Sequence, residues 1–172
     1  MIPSWIDAVR RGFRLAPLLL LLGAAEAEPA LQLPQIDLIR VRKAARTMEL
    51  WSGDRLVHVI EHIQLGEAPI GPKRFEGDER TPEGRYEIDW GNPQSAYHLS
   101  LHISYPSAGD RAYAQARGRS AGGMIMIHGQ PNDLETGRVR GDWTDGCIAV
   151  SNPEIEALYE TVPDGTPIEI NP

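Results

Sequence analysis

Apolar and polar positions alternate from Ile36 to Lys43, with Ile36, Leu38 (joined by Ile39) and Val41 marking the repeat, and the pattern resumes from Thr47 to Trp51. A period of two puts successive side chains on opposite faces of an extended chain, so both stretches predict strands. Ser52-Gly53-Asp54 supplies a turn, and Arg55 to Leu65, rich in Val and Ile, predicts a third strand that completes an antiparallel meander. Gly66 to Gly84 is dense in Gly and Pro and ends in the turn signal Thr81-Pro82-Glu83-Gly84. Further strands are predicted at Tyr86 to Trp90 and at Tyr97 to Ser104, where Tyr97, Leu99, Leu101 and Ile103 share a face. Met124 to His128 and Thr166 to Ile170 complete the strands. Helical spacing is clear once: Ser151 or Asn152 can cap a helix with Pro153 in its first turn, Glu154 and Glu156 near its positive end, and Ile155, Leu158 and Tyr159 on one face. Pro163-Asp164-Gly165 closes it, and Asp110 to Gly123 reads as a short helix or a mobile insertion. No repeat or low-complexity tract interrupts the chain. The fold class is mainly β (α+β), one domain over residues 36–172, a β-sandwich or mixed sheet with one or two short helices.

The first 27 residues follow a different pattern. Arg10, Arg11 and Arg14 precede the apolar run Leu15 to Ala25, which ends in Ala25-Glu26-Ala27. A basic segment, a compact apolar run and an A-x-A site together predict a cleavable secretory signal over 1–27, followed by a linker at 28–35. The run is short of the roughly 20 apolar residues that span a bilayer. An uncleaved anchor is the alternative, and Arg10-Arg11-Gly12-Phe13-Arg14-Leu15 also resembles a twin-arginine signal. Export to the periplasm or cell envelope is therefore expected, with membrane contact through this segment alone.

Composition narrows the function. The formal net charge of −7 argues against a nucleic-acid partner, because binding a phosphate backbone requires clustered Lys and Arg. One cysteine, Cys147, stands in a chain expected to leave the cytoplasm. A structural disulfide needs two, so Cys147 is either a buried bystander or a reactive thiol. Its surroundings favour reactivity. A thiol attacks a carbonyl as thiolate, which requires a base, and the oxyanion that forms requires N–H donors. Thr144-Asp145-Gly146-Cys147 offers a Gly-containing turn for those donors, and His128, at the end of a strand and followed by Gly129, is the candidate base. Spacing alone does not bring the two together.

His128-Gly129 and then Thr144-Asp145-Gly146-Cys147-Ile148, with fifteen residues between His128 and Thr144, resemble the signature of the L,D-transpeptidase (YkuD-like) catalytic domain: a His, a spacer, Ser or Thr, a variable residue, Gly and Cys. Gly66 to Lys73, Gly77-Asp78 leading to Thr81-Pro82-Glu83-Gly84-Arg85-Tyr86, and His98-Leu99-Ser100-Leu101 leading to Tyr105-Pro106 extend the similarity over about residues 36 to 171. The resemblance implies a β-rich domain acting on peptidoglycan stem peptides. In it Cys147 would form a thioacyl intermediate, His128 would take its proton, the Gly129 carbonyl would orient the imidazole, and the N–H groups of Gly146 and Cys147 would hold the oxyanion. It implies no metal and no organic cofactor. Asp145 stands where many members have His, and Ala149 where others carry Asn or Arg. The T-D-G-C-I-A-V form is closer to the murein-endopeptidase (YafK-like) branch, so transfer and hydrolysis both stay open. A negative Asp145 also opposes thiolate formation.

Thr144, Asp145, Trp143 and His102 are the candidate substrate contacts, Trp143 by stacking or else by plain packing. His98 and His102 fall on one face of a strand, where they either border a cleft or stand in solvent. Lys73 and Arg85 read first as solvated charges and second as partners for substrate carboxylates. His58-Val59-Ile60-Glu61-His62 matches a zinc-protease pattern that needs a helix, but its β-branched content predicts strand. A papain-like protease would place its Cys before its His, the reverse of the order here. A wall-binding module that had lost its chemistry would lack the nucleophile or the base, and both are present.

Overall fold

The structure, a computed structural model, describes residues 31–172; the signal segment expected at 1–27 lies outside them. Eight strands form one mixed sheet: β1 (Leu38–Arg42), β2 (Thr47–Ser52), β3 (Arg55–Glu61), β4 (Gly84–Ser95), β5 (His98–Ile103), β6 (Ile125–His128), β7 (Ile148–Ala149) and β8 (Thr166–Asn171). Their order is β3-β2-β1-β8-β4-β5-β6-β7. Helix α1 spans Ala108–Gln115 and α2 spans Asn152–Thr161. Of the two architectures expected, the mixed sheet is the one formed. The predicted meander is β1-β2-β3, antiparallel throughout. Two pairings are parallel, β1 with β8 and β6 with β7. Strand β4 runs past its predicted end at Trp90, because two register shifts let it absorb Asn92 and Pro93.

Alternation explains the core. Ile39, Val41, Met48, Leu50, Ile60, Ile88, Leu101, Ile103, Ile127, Ile168 and Ile170 are all buried, each contributing about 1.5–3 kcal/mol on leaving water. Helix α2 covers β5 and β6, burying Ile155 and Leu158 as its spacing predicts, and the Glu154 carboxylate accepts the Ser151 N–H at 2.7 Å at its start. The stretch expected to be a short helix or mobile insertion contains α1, capped by Ser107 and Asp110. Arg74 lies over the Tyr113 ring at 4.6 Å and Arg119 over Phe75 at 3.9 Å, which pins this region to the Gly/Pro-rich loop. The same loop is fastened to the end of β1 by Lys43, 2% exposed, whose Nζ donates to the Gly71 and Thr81 carbonyls and to Glu83.

The sheet curls. The chain leaving β3 bridges the opposite edge through Gln64 and Ala149, and Gly66 bridges Thr144. This seam, where the two ends of the strand order meet, carries the residues that matter for chemistry.

Candidate active site

Two buried glutamines build the seam. Gln130 donates through Nε2 to the Val150 carbonyl at 2.7 Å and to Gln64 Oε1 at 3.2 Å, and its Oε1 accepts the Val139 N–H. Gln64 donates in turn to the carbonyls of Val139 and Gly141. Asp142 accepts the Leu65 N–H at 2.9 Å, and the N–H groups of Trp143 and Thr144 both reach the Leu65 carbonyl. The loop before Cys147 is thus fixed on both sides, although it has almost no regular structure. Neither glutamine stood out in the sequence, because a polar residue at a strand end usually faces solvent.

The turn itself needs glycine. Gly146 has φ +126°, and a Cβ there would stand 2.5 Å from the Arg80 carbonyl oxygen. Thr144, buried, donates through Oγ1 to the Cys147 carbonyl at 2.7 Å and accepts the Gly146 N–H at 3.2 Å. Its hydroxyl therefore forms the turn, and the Gly146 N–H, expected to face an oxyanion, is partly engaged. The Cys147 N–H has no such acceptor among the described residues.

Cys147 and His128 line one cavity of about 600 Å³, together with Lys73, Glu76, Glu79, Tyr97, Met124, Trp143, Thr144 and Asp145. His128, 3% exposed, bonds the Gly129 carbonyl through Nδ1 at 2.7 Å. A carbonyl only accepts, so Nδ1 carries the proton and the neutral ring keeps a lone pair on Nε2. Tyr97 lies against the ring at 4.6 Å between centroids and Trp143 meets it edge-on at 5.6 Å. Gly129 is held tightly too, since a Cβ would come within 2.6 Å of Asn152 Oδ1. Tyr97 was missed as a site residue: it belongs to the turn between β4 and β5, not to the strand face assigned to it.

The surroundings of the Cys147 thiol disfavour the thiolate. Sγ accepts the Met126 N–H at 3.4 Å and lies 3.7 Å from the Met124 carbonyl, an acceptor for the S–H. Burial pushes the Cys147 thiol up; the Met126 N–H opposes this, Asp145 adds to it, and Lys73 pulls it down. Burial also lowers His128, against the raising effect of the Gly129 carbonyl. Both shifts favour a neutral thiol beside a neutral imidazole. Trp143 Nε1–H is buried without an acceptor among the described residues.

Other candidates lie elsewhere. His102 is bonded to Asp89 at 2.6 Å and stacked on Trp90, and it is not part of the cavity lining. His98 pairs with Glu156, and Arg85, largely exposed, with Glu169. Lys73, read first as a solvated charge, is buried and faces the cavity instead. His58 and Glu61 lie on strand β3 as predicted, and no cluster able to hold a metal occurs among the described residues.

Comparison with known proteins places this geometry. The L,D-transpeptidase catalytic domain, YkuD, matches residues 36–170. The chain belongs to that family. Among its relatives is an Escherichia coli (strain K12) protein named as an L,D-transpeptidase, YafK, 28% identical over 134 residues, covering 72% of this chain and 46% of that one. The crystal structure of Pgp2, described as a helical cell shape determining protein of Campylobacter jejuni, superimposes with a TM-score of 0.62 at 27% identity, covering 80% of this chain and 48% of that one. An L,D-transpeptidase from Mycobacterium smegmatis shares the fold at 14% identity, with a TM-score of 0.52 and coverage of 78% and 58%. This chain thus spans about half the length of YafK and of Pgp2. The curled mixed sheet with two short helices is the family's fold, and the T-D-G-C-I-A-V resemblance to YafK agrees with the relative found.

Proposed function

We propose that this protein is an exported cysteine acyltransferase that acts on peptidoglycan stem peptides. The observation that carries the reading is the shared cavity, in which the only cysteine of the chain lies with a histidine whose Nδ1 is tied to the Gly129 carbonyl. As substrate binds, Nε2 of His128 takes the thiol proton while Sγ attacks the carbonyl carbon of a stem-peptide amide. The tetrahedral oxyanion is met by the Cys147 N–H. Collapse breaks the C–N bond, the departing amine receives the proton held by His128, and a thioester remains on Cys147. An incoming amine, deprotonated by the same nitrogen, then forms a new amide and frees the thiol. Every atom needed for this is a side chain or backbone group of the site, and neither metal nor cofactor is called for. Asp145 and Trp143 border the path of the substrate.

Hydrolysis is the second reading, with water replacing the incoming amine. The T-D-G-C form with Asp145 favours it. The secretory signal read over 1–27 supplies the route to the envelope, where the substrate is found.

Incubating purified sacculi with the protein and weighing the products tests both readings. New crosslinks joining stems through their third residues mark transfer, and shortened stems mark hydrolysis. Intact sacculi after prolonged incubation would remove the proposal, and Cys147→Ser serves as the inactive control.

A further inference from the structure

His102, expected to meet substrate, belongs to a separate group outside the cavity. Its Nδ1 is bonded to the Asp89 carboxylate at 2.6 Å, and its ring stacks on Trp90 at 4.8 Å between centroids with 16° between planes. Trp90 is 36% exposed, although burial of so large a ring is strongly favoured. Sheet geometry explains the exposure. Gly91, the next residue of β4, faces α2, where a Cβ would come within 2.8 Å of the Tyr159 ring, so Trp90 points away from that helix. On its β5 side the indole is covered by His102, its cross-strand partner. On its other side the pairing of β4 with β8 ends at Ile88 and Thr166, and no strand flanks the ring. One ring face is therefore buttressed and the other has no neighbour in the sheet. Polar groups stand beside it. Asp89 is exposed, and among the described residues only its Oδ1 is engaged. Asn92, which pairs with Ser100 on the same face as Trp90, accepts the Gln94 N–H through Oδ1 and keeps its amide nitrogen as a donor.

The register fixes where this platform lies relative to the catalytic base. His102 pairs with Met126 and Ser100 with His128, so Trp90, His102, Met126 and His128 share one face of the sheet. From His128, Trp90 is two strands across and two residues along, which at ~4.8 Å per strand and ~3.4 Å per residue separates their Cα atoms by roughly 12 Å. Three extended peptide residues span about 10 Å. Resting on the reading above, we infer that Trp90 is a sugar-stacking platform that holds the glycan strand while a stem peptide hanging from it reaches the cavity. A β-linked pyranose presents a flat face of C–H groups for the indole to cover. Its equatorial hydroxyls and acetamido groups meet Asp89 and Asn92 at the rim. A stem whose third residue supplies the acyl carbon then has the length to bring that carbon to Cys147. His102, held by Asp89, keeps the indole upright.

Calorimetric titration with a soluble β-linked tetramer of N-acetylglucosamine tests this without a stem peptide. Trp90→Ala should weaken binding about tenfold, the loss of one aromatic stacking surface. Trp90→Phe should restore most of it, and Asp89→Asn should weaken it about threefold. Wild type that does not bind the tetramer, or a folded Trp90→Ala that binds it as wild type does, overturns the inference. His102→Ala removes the buttress and stands in if Trp90→Ala does not fold; undiminished binding there overturns the inference as well. On wall substrates, the ratio of kcat/KM for glycan-borne over glycan-free stems should fall about fivefold in Trp90→Ala. Tetramer binding that depends on Trp90 in a protein that makes no wall product would overturn the acyltransferase reading and leave the platform supported. Wall product from a protein with no affinity for the tetramer would overturn the platform alone.

Discussion

In the proposed mechanism His128 deprotonates Cys147 at the moment of attack, because burial disfavours the charged form of both groups. Iodoacetamide labelling of wild type should therefore keep climbing as pH rises past 9.0, the ordinary value for the thiol, with no plateau near neutrality. A plateau below pH 7 would mean a preformed thiolate–imidazolium pair and would contradict the burial of both groups. Removing the base in His128→Ala should cut turnover on sacculi by a factor of about 10² or more. Asp145 is exposed and accepts no backbone N–H among the described residues, so its effect on the thiol is through charge alone. Asp145→Asn should speed labelling at mildly alkaline pH by about twofold with an unchanged melting temperature. A drop in melting temperature with no change in labelling would instead make Asp145 a turn residue. At this scale the sequence was informative where chemistry needs a rare residue. A single Cys beside Gly146 and a His before Gly129 were visible, whereas Lys73 read first as a solvated charge, because its burial depends on the ion pair with Asp78 and on cavity walls that distant segments supply.

Elements set where those residues stand, and the tightest constraint is backbone against backbone. Gly66 and Gly146 allow the Gly/Pro-rich loop to lie on the cysteine turn: a Cβ on Gly66 would come within 2.0 Å of the Glu79 carbonyl oxygen. Gly146→Ala adds a clash with the Arg80 carbonyl to an unfavourable φ and should cost about 2–3 kcal/mol or more in urea unfolding, with labelling of Cys147 altered as well. A silent Gly146→Ala would show that the turn can shift at little cost. Strands with long alternation, β1 to β3 and β5, were legible because one buried face imposes its period on the sequence. Strand β7 was not, since two residues carry no period, and the reach of β4 was hidden by the residues of its bulge. The glutamine pair that fixes the loop was equally hidden, for its partners are carbonyls far along the chain.

For the whole molecule, titration sets a window of stability. The folded state holds His128 below its ordinary 6.5, so as pH falls through that value the unfolded chain takes up a proton that the folded one refuses, and stability declines. Burial raises the Asp78 carboxyl, but three backbone N–H groups and Lys73 bring it below 3.8, so the stability it adds is lost only in stronger acid. On the alkaline side the unfolded thiol ionises near 9.0 while the folded one resists, and stability falls again. Urea midpoints against pH should thus peak between about 6.5 and 9, and His128→Gln should flatten the acid side. An acid limb unchanged in that variant would put its cause elsewhere. Global topology was the least legible level. Alternation in residues 166–170 announced a strand, but nothing in it announced that the strand lies between β1 and β4. That position has a consequence for how the chain is made. Within the sheet, β8 alone joins the three strands β1 to β3 to the four strands β4 to β7. A nascent chain that has not yet emerged as far as Thr166–Asn171 lacks the one strand that pairs with both β1 and β4. Synthesis must run almost to the end of this domain before it can close, which leaves the polypeptide threadable for as long as that last strand is withheld.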